Sequence, residues 1–248
     1  SEKAFIMDKE KIDYLYFEEF EKVRNFSPEN FVKKILIEKL NAKKVLCGFN
    51  FTFGKGKSGN PEILKEILEK NRIELEVQEA VFDDNLEVIS STNIRKHIKE
   101  TNLEKVKKLL GHNLIILGKV IHGKQLGRTI GFPTANLKFE NRVYPSFGVY
   151  GVKIYFYEKG ICKTYTGVMN IGRNPTVDKD NLSVETHIFD FDKDIYGKYI
   201  LIEIFKNIRK EIKFNSIDEL KNQIDKDSKY WKNEVKKIKE QDRENKIR

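Results

Sequence analysis

The sequence has few of the residues on which small secreted or metal-binding domains depend, with two cysteines, four histidines and five prolines among 248 residues. Cys47 and Cys162 lie far apart, each within an apolar, strand-like run. This usage indicates neither a disulfide framework nor a zinc site. It predicts two reduced, buried thiols in a cytoplasmic protein.

Long apolar runs are also missing, since no stretch approaches the roughly 18–20 residues of a membrane-spanning helix. The first residues lack the organisation of a signal peptide. The net charge of +9 permits attraction to nucleic acid or to phosphorylated small molecules. Lys and Glu alternate along most helical segments, however, and that pattern is more typical of solvated faces. A membrane partner is therefore not expected, and nucleic acid is not favoured.

The first part of the chain alternates between helix and strand signals. Ser27-Pro28 begins a helix, Asn60-Pro61 begins another, and residues 44–49 and 73–77 have the apolar patterning of strands. A helix over 103–110 ends at Gly111. Alternation of this kind predicts a small α/β domain with a parallel sheet over residues 1–112.

The pattern of predicted elements changes after Gly111, where short strands follow one another without helices between them. They are predicted at 114–121, 148–157, 163–169, 183–189 and 199–205. Such a series predicts an antiparallel barrel or sandwich. Ser216 and Glu219 then form a capping box that opens a long helix. The predicted second domain is 113–239, with a charged tail at 240–248.

A loop rich in glycine carries the first candidate chemistry. Three glycines lie within nine residues at 123–131, and Pro133 precedes two polar side chains, Thr134 and Asn136. These two side chains share one side of an extended chain and offer hard oxygen ligands that suit Mg²⁺ bound to phosphates. Lys124 and Arg128 could offset phosphate charge. A Gly/Pro loop of no special function has the same composition.

Two further segments stand out. On the predicted strand VETHI (184–188), Glu185 and His187 share a face, and a carboxylate there could act as a general base. An ordinary surface strand with a structural histidine is the alternative. In SSTNIR (90–95), hydroxyl groups at a helix start favour an anion, although an ordinary N-cap fits equally.

Taken together, these motifs resemble a known family. GRTIGFPTAN (127–136) resembles the signature of riboflavin kinases, and four later segments agree in order and spacing. They are GVMNIGRNPT (167–176), VETHI (184–188), IYGK (195–198) and RKEIKF (209–214). The resemblance implies an antiparallel Greek-key β-barrel with a C-terminal helix that transfers the ATP γ-phosphate to the 5′-hydroxyl of riboflavin, giving FMN.

The resemblance also implies the roles of individual residues. Glu185 is expected to be the catalytic base, and Thr134 and Asn136 the ligands of Mg²⁺. The residues implied in ATP binding are Gly123, Lys124, Arg128, Thr134, Asn136, Ile188 and Tyr196. Those implied in flavin binding are Arg209, Ile212 and Phe214.

The first half resembles the Rossmann-like adenylyltransferase domain of bacterial bifunctional riboflavin kinase/FAD synthetases. The resemblance rests on GFNFTFG (48–54) and SSTNIR (90–95), and it implies an FMN-adenylylating site that includes Asn50, Phe53, Ser91, Thr92 and Arg95. None of the four histidines lies in the His-x-Gly-His motif of that domain. The domain is therefore expected to be incomplete, and the chain as given is not expected to make FAD.

Two other functions stay open at this point. A flavin-binding regulator without turnover would bind riboflavin without consuming ATP. A basic nucleic-acid-binding module is compatible with the net charge, but the sequence lacks the clustered aromatic and basic pattern of common RNA-binding modules. Oligomeric state and the preferred divalent metal are not indicated.

Overall fold

The structure is a computed structural model that describes residues 1–123, 126–139, 143–158, 160–173 and 182–247. The chain forms two compact units, one of Met7–Ile89 and the other of Ser1–Ile6 with Ser90–Arg248. Among the described residues, none of the helices combines the length and apolarity that crossing a bilayer requires.

The smaller unit is built around a parallel pair of strands, β1 (Lys44–Gly48) and β2 (Glu74–Gln78). The division between the two units falls within the first helix, α1 (Glu2–Lys9), after Ile6. In the smaller unit the helices α2 (Phe20–Val23) and α3 (Pro28–Phe31) come before the strands, and α3 continues as a π-helix over Val32–Lys39. A 3₁₀ turn (Lys55–Lys57) and α4 (Pro61–Lys70) connect the two strands.

Local signals explain where these helices begin. The Ser27 hydroxyl accepts a hydrogen bond from the Asn30 N–H at 3.2 Å, and the Asn60 side chain accepts one from the Ile63 N–H at 2.9 Å. Each cap satisfies a backbone donor that the first helical turn leaves unpaired. The core of this unit contains Val32, Phe53, Leu64, Leu68 and Ile73.

The larger unit is a closed six-stranded barrel whose strands neighbour one another in the order β3-β4-β7-β6-β5-β8, with every pairing antiparallel. The strands are β3 (Leu114–Ile121), β4 (Ala135–Lys138), β5 (Gly148–Glu158), β6 (Ile161–Arg173), β7 (Leu182–Ile188) and β8 (Tyr199–Lys210). Helices α5 (Ser91–Lys99) and α6 (Leu103–Leu110) precede the barrel, and α7 (Leu126–Thr129) lies between β3 and β4. Inward-facing aliphatic residues of all six strands fill the interior.

A long C-terminal helix, α8 (Ile217–Ile247), packs on the barrel. The predicted cap is present, because the Ser216 hydroxyl accepts from the Glu219 N–H at 3.1 Å. Trp231 anchors the helix: its indole is 1% exposed and donates to the Val152 carbonyl at 3.2 Å. A methyl group on Gly151 would come within 2.4 Å of the indole, so the strand surface must lack a side chain there.

The predicted fold class is confirmed, with an α/β part followed by an antiparallel barrel and a C-terminal helix. The predicted boundary at 112/113 stays a prediction, although α5 and α6 pack with the barrel unit. The helix α8 also continues into the segment predicted as a charged tail. The prediction of two buried thiols was wrong for Cys162, which is exposed because it lies beside the β5–β6 turn, beyond the barrel core, and Cys47 is only partly buried.

Candidate functional site

One row of residues crosses the barrel from β4 to β8. Register pairs join Asn136 to Glu185, Glu185 to Asn170, Asn170 to Val149, and Val149 to Arg209. Directly opposed residues lie on the same face of a sheet, and neighbouring strands are about 4.8 Å apart. The barrel therefore aligns the predicted metal ligand, the predicted base and the predicted flavin-side arginine in one row.

Glu185 is held at both of its carboxylate oxygens. The Thr134 hydroxyl donates to Oε2 at 3.3 Å, and the Ser183 hydroxyl donates to Oε1 at 3.4 Å. Because Thr134 uses its hydrogen in this bond, the lone pairs of its oxygen stay available to another ligand. The carboxylate and the Thr134 oxygen thus form a polar pair at the edge of the β4–β7 ladder.

Glycines let the backbone approach this pair closely. A methyl group on Gly123 would lie 2.2 Å from the Asn136 side-chain amide, and one on Gly127 would lie 2.3 Å from the Phe132 carbonyl oxygen. The Phe132 N–H donates to the Gly127 carbonyl at 2.7 Å and closes the turn around α7. Lys124, also predicted at this site, lies outside the described residues.

A cavity of about 360 Å³ opens beside the Thr134–Glu185 pair. Its wall combines apolar and charged side chains, and it is lined by Val120, Arg128, Pro133, Thr134, Ala135, Thr186, Ile188, Phe191, Asp192, Lys193, Asp194, Ile195 and Tyr196. Tyr196 is stacked on His122, with ring centroids 3.7 Å apart. An apolar wall with an aromatic ring suits a planar base, and cationic groups suit phosphates.

The buried hydroxyl of Thr186 is a polar group in the wall of this cavity. Thr186 is fully buried, lines the cavity, and finds no hydrogen-bond partner for its hydroxyl within the described part of the chain. Buried polar atoms in native proteins are nearly always satisfied, and an exception calls for a specific reason such as an absent ligand or water.

His187 lies next to the same loop. Its Nδ1 is 2.9 Å from the Pro133 carbonyl oxygen, which only accepts, so Nδ1 carries the hydrogen. The edges of Phe132 and Phe189 approach the imidazole, with centroid distances of 5.3 and 5.6 Å. Burial lowers the pKa of His187 below its ordinary value, so the ring is neutral at pH 7.

At the other end of the row, Arg209 is fixed by α8. Its Nε lies 3.0 and 3.2 Å from the two carboxylate oxygens of Asp227, which is buried, and its Nη1 donates to the Lys210 carbonyl. The guanidinium lies 5.7 Å from the centre of the Phe214 ring. Ile212 is exposed nearby in sequence. The Phe214 ring therefore lies beside a cation that Asp227 holds in place.

The donor set fits a divalent metal only in partnership with a ligand. Among the described residues there is no group of three or more His, Cys, Asp or Glu side chains that could hold a metal ion. Thr134 and Asn136 supply neutral hard oxygens, and Mg²⁺ typically completes its shell with substrate phosphates and water. A metal would therefore bind here together with a nucleotide.

Comparisons with known proteins identify the family of the chain. A family model described as riboflavin kinase matches residues 110–235, and one described as FAD synthetase matches residues 1–93. A bifunctional riboflavin kinase/FMN adenylyltransferase from Buchnera aphidicola subsp. Schizaphis graminum is 39% identical over 88% of this chain and 70% of its own. The chain belongs to the bifunctional riboflavin kinase/FMN adenylyltransferase family.

Other members of the riboflavin kinase/FMN adenylyltransferase family are similarly close. The protein from Haemophilus influenzae is 37% identical over 91% of this chain and 72% of its own, and that from Listeria monocytogenes is 38% identical over 91% and 71%. A crystal structure described as a macrolide-efflux protein from Streptococcus pneumoniae has a TM-score of 0.70 and 34% identity, covering 91% of this chain and 72% of that one.

The residues predicted to belong to the adenylyltransferase site lie in both units. Asn50 is exposed after β1, whereas Phe53 is buried in the core of the smaller unit. In the larger unit, Ser91, Thr92 and Arg95 are exposed on the first turns of α5. The cap of that helix is the preceding serine, residue 90, whose hydroxyl accepts from the N–H of residue 93 at 3.2 Å.

Two residues that hold side chains of the candidate site were not predicted. Ser183 precedes Glu185 by two positions, so the period of a strand could have placed its hydroxyl on the same face. Asp227, which holds Arg209, lies on a helix 18 positions away, and no local pattern marks it. Its role depends on how α8 packs against β8.

Proposed function

We propose that this chain phosphorylates riboflavin on its 5′-hydroxyl, using ATP with Mg²⁺ bound at Thr134 and Asn136. The observation that carries the proposal is the row of Asn136, Glu185 and Asn170 on adjacent strands. It places a carboxylate between a cavity suited to a nucleotide and the surface around Arg209.

In this proposal the cavity takes ATP. The adenine lies against the apolar side chains near Ile188 and Tyr196, and the triphosphate extends along the loop that carries Arg128. Close backbone at Gly123 and Gly127 leaves room for phosphate oxygens. Mg²⁺ held by Thr134 and Asn136 would neutralise phosphate charge, as is general for phosphoryl transfer.

Glu185 is the proposed general base. Its carboxylate accepts the proton of the riboflavin 5′-hydroxyl as that oxygen attacks the γ-phosphorus and the bond to the β-phosphate oxygen of ADP breaks. Hydrogen bonds from Thr134 and Ser183 hold the carboxylate in one orientation. Catalysis then consists mainly of positioning and charge neutralisation.

The flavin ring is proposed to lie beside Phe214, Ile212 and the Arg209 side chain. The Arg209–Asp227 ion pair fixes the guanidinium before any substrate arrives. The side chain of Asn170, which is next to Glu185 in the row, is proposed to contact the ribityl chain between the ring and the reacting hydroxyl. This arrangement orients riboflavin along the row, with its 5′-end toward Thr134.

One assay tests the function directly. The chain is incubated with riboflavin, ATP and Mg²⁺, and FMN, FAD and ADP are resolved by chromatography. We expect FMN and ADP in equal amounts. Riboflavin binding without ATP consumption would overturn the kinase proposal in favour of a flavin-binding regulator. FAD is measured in the same run, but the kinase proposal does not depend on it.

A substitution at Gly123 tests where ATP and the metal bind. In Gly123→Ala the new methyl group would lie 2.2 Å from the Asn136 amide and displace it. Overpacking of this kind typically introduces about 1–3 kcal/mol of strain. Because Asn136 is a proposed ligand of the metal bound to ATP, moving it to relieve that strain is expected to raise the KM for ATP by about tenfold or more. Steady-state kinetics at varied ATP and fixed riboflavin measure the change.

The matched control for this substitution is Gly48→Ala in the smaller unit, where the nearest atom would be 3.4 Å from the added methyl group. It is expected to leave the KM for ATP in FMN formation unchanged. An unaltered KM in Gly123→Ala as well would mean that Asn136 does not contact the bound nucleotide or its metal.

A further inference from the structure

The β4–β7 ladder ends one residue away from Thr134, the proposed metal ligand. It consists of the pairs Ala135–Thr186 and Asn136–Glu185, and β4 starts at Ala135. Continuing the antiparallel register by one step would place His187 opposite Thr134. Pro133 has no N–H to donate to a ladder. Thr134 and the residue before it therefore lie beyond regular sheet pairing.

The His187 side chain supplies a connection at this point. Its Nδ1–H donates to the Pro133 carbonyl at 2.9 Å, across 54 positions of sequence. That carbonyl belongs to the peptide unit that leads directly into Thr134. The bond therefore ties the residue carrying the proposed metal-binding hydroxyl to the strand carrying Glu185.

Packing holds the imidazole in this orientation. Phe132, in the loop before β4, and Phe189, directly after β7, approach it edge-on. The Lys232 ammonium of α8 lies over the Phe189 ring, 4.7 Å from the centre of that ring. The ring is thus confined between the barrel and the loop, which suits a positioning role rather than proton transfer.

We propose that His187 is a positioning residue for phosphoryl transfer: by donating to the Pro133 carbonyl it holds the Thr134 hydroxyl against Glu185 and in place for the metal–ATP complex. The inference rests on the proposed kinase function. It assigns His187 no contact with either substrate. Losing the bond should therefore weaken ATP binding, whereas the flavin surface at Arg209 should be unaffected.

Three variants separate this role from general packing. An asparagine amide nitrogen can occupy the position of Nδ1, whereas a glutamine nitrogen reaches the position of Nε2. We expect His187→Ala and His187→Gln to raise the KM for ATP by about tenfold, as the loss of one well-formed hydrogen bond allows. His187→Asn should restore most of the affinity. The KM for riboflavin should stay within about twofold in all three.

Calorimetric titration with a non-hydrolysable ATP analogue and Mg²⁺ gives a second readout that does not require turnover. Thermal unfolding of each variant shows whether it is folded, and the comparison is between His187→Asn and His187→Gln. Equal losses in these two, or an unchanged ATP affinity in His187→Ala, would overturn the inference. A wild-type chain that forms no FMN would instead overturn the proposed function.

Discussion

Replacing Glu185 with glutamine is expected to lower the rate of FMN formation by about 10²–10⁴-fold, the usual contribution of a general base. The amide has nearly the same shape but cannot accept the proton of the riboflavin hydroxyl. The Thr134 hydroxyl can still donate to the amide oxygen, so the loop should stay in place. Pre-steady-state or single-turnover kinetics would assign the loss to the chemical step.

The KM for ATP should change little in Glu185→Gln, because the nucleotide is proposed to bind through other groups. Glu203→Gln is a matched control in the same barrel: Glu203 is buried and hydrogen-bonded to Tyr155 and Asn113, away from the row. It should leave kcat within about threefold. Normal turnover by Glu185→Gln would exclude Glu185 as the base.

Replacing Trp231 with alanine is expected to lower the free energy of unfolding of the barrel unit by about 3–5 kcal/mol, the usual cost of truncating a buried aromatic side chain. The indole is almost fully buried against Gly151 and donates to the Val152 carbonyl. Urea unfolding followed by circular dichroism measures the loss, since Trp231 is the only tryptophan available for fluorescence.

The same variant has a functional consequence, because α8 also carries Asp227, which holds Arg209. Looser packing of the helix should raise the KM for riboflavin more than the KM for ATP. Tyr230→Ala is the control on the adjacent position, where the side chain is 40% exposed, and it should cost about 1 kcal/mol or less. Equal stabilities of the two variants would show that Trp231 does not anchor α8.

Much of the architecture could be predicted because its signals are local. The change from helix–strand alternation to successive strands at Gly111, the cap at Ser216 and the Ser-Pro helix start all depend on residues within a few positions of one another. The short strand β4 was not predicted: Ala135–Lys138 alternates apolar and polar residues, but four residues are too few to distinguish a strand from an extended loop, and only two of them pair with β7. The π-helix after α3 likewise leaves no distinct local pattern.

The candidate site was only partly predictable, because some of its contacts join residues that are far apart in the sequence. Thr134, Asn136 and Glu185 stand out by residue type and spacing, and the structure brings Thr134 to Glu185 across 51 positions. The Arg209–Asp227 ion pair and the His187–Pro133 hydrogen bond have no counterpart in any short motif. Both join elements that meet only after the barrel has closed.

The sequence by itself determined the elements, their caps and the chemical groups available to the site, because propensity, capping and strand periodicity act over a few residues. Only the tertiary structure decided that Asn136, Glu185, Asn170 and Arg209 form one row. Strand order and register depend on which strands pair when the barrel closes, and that choice is set by burial of its whole interior.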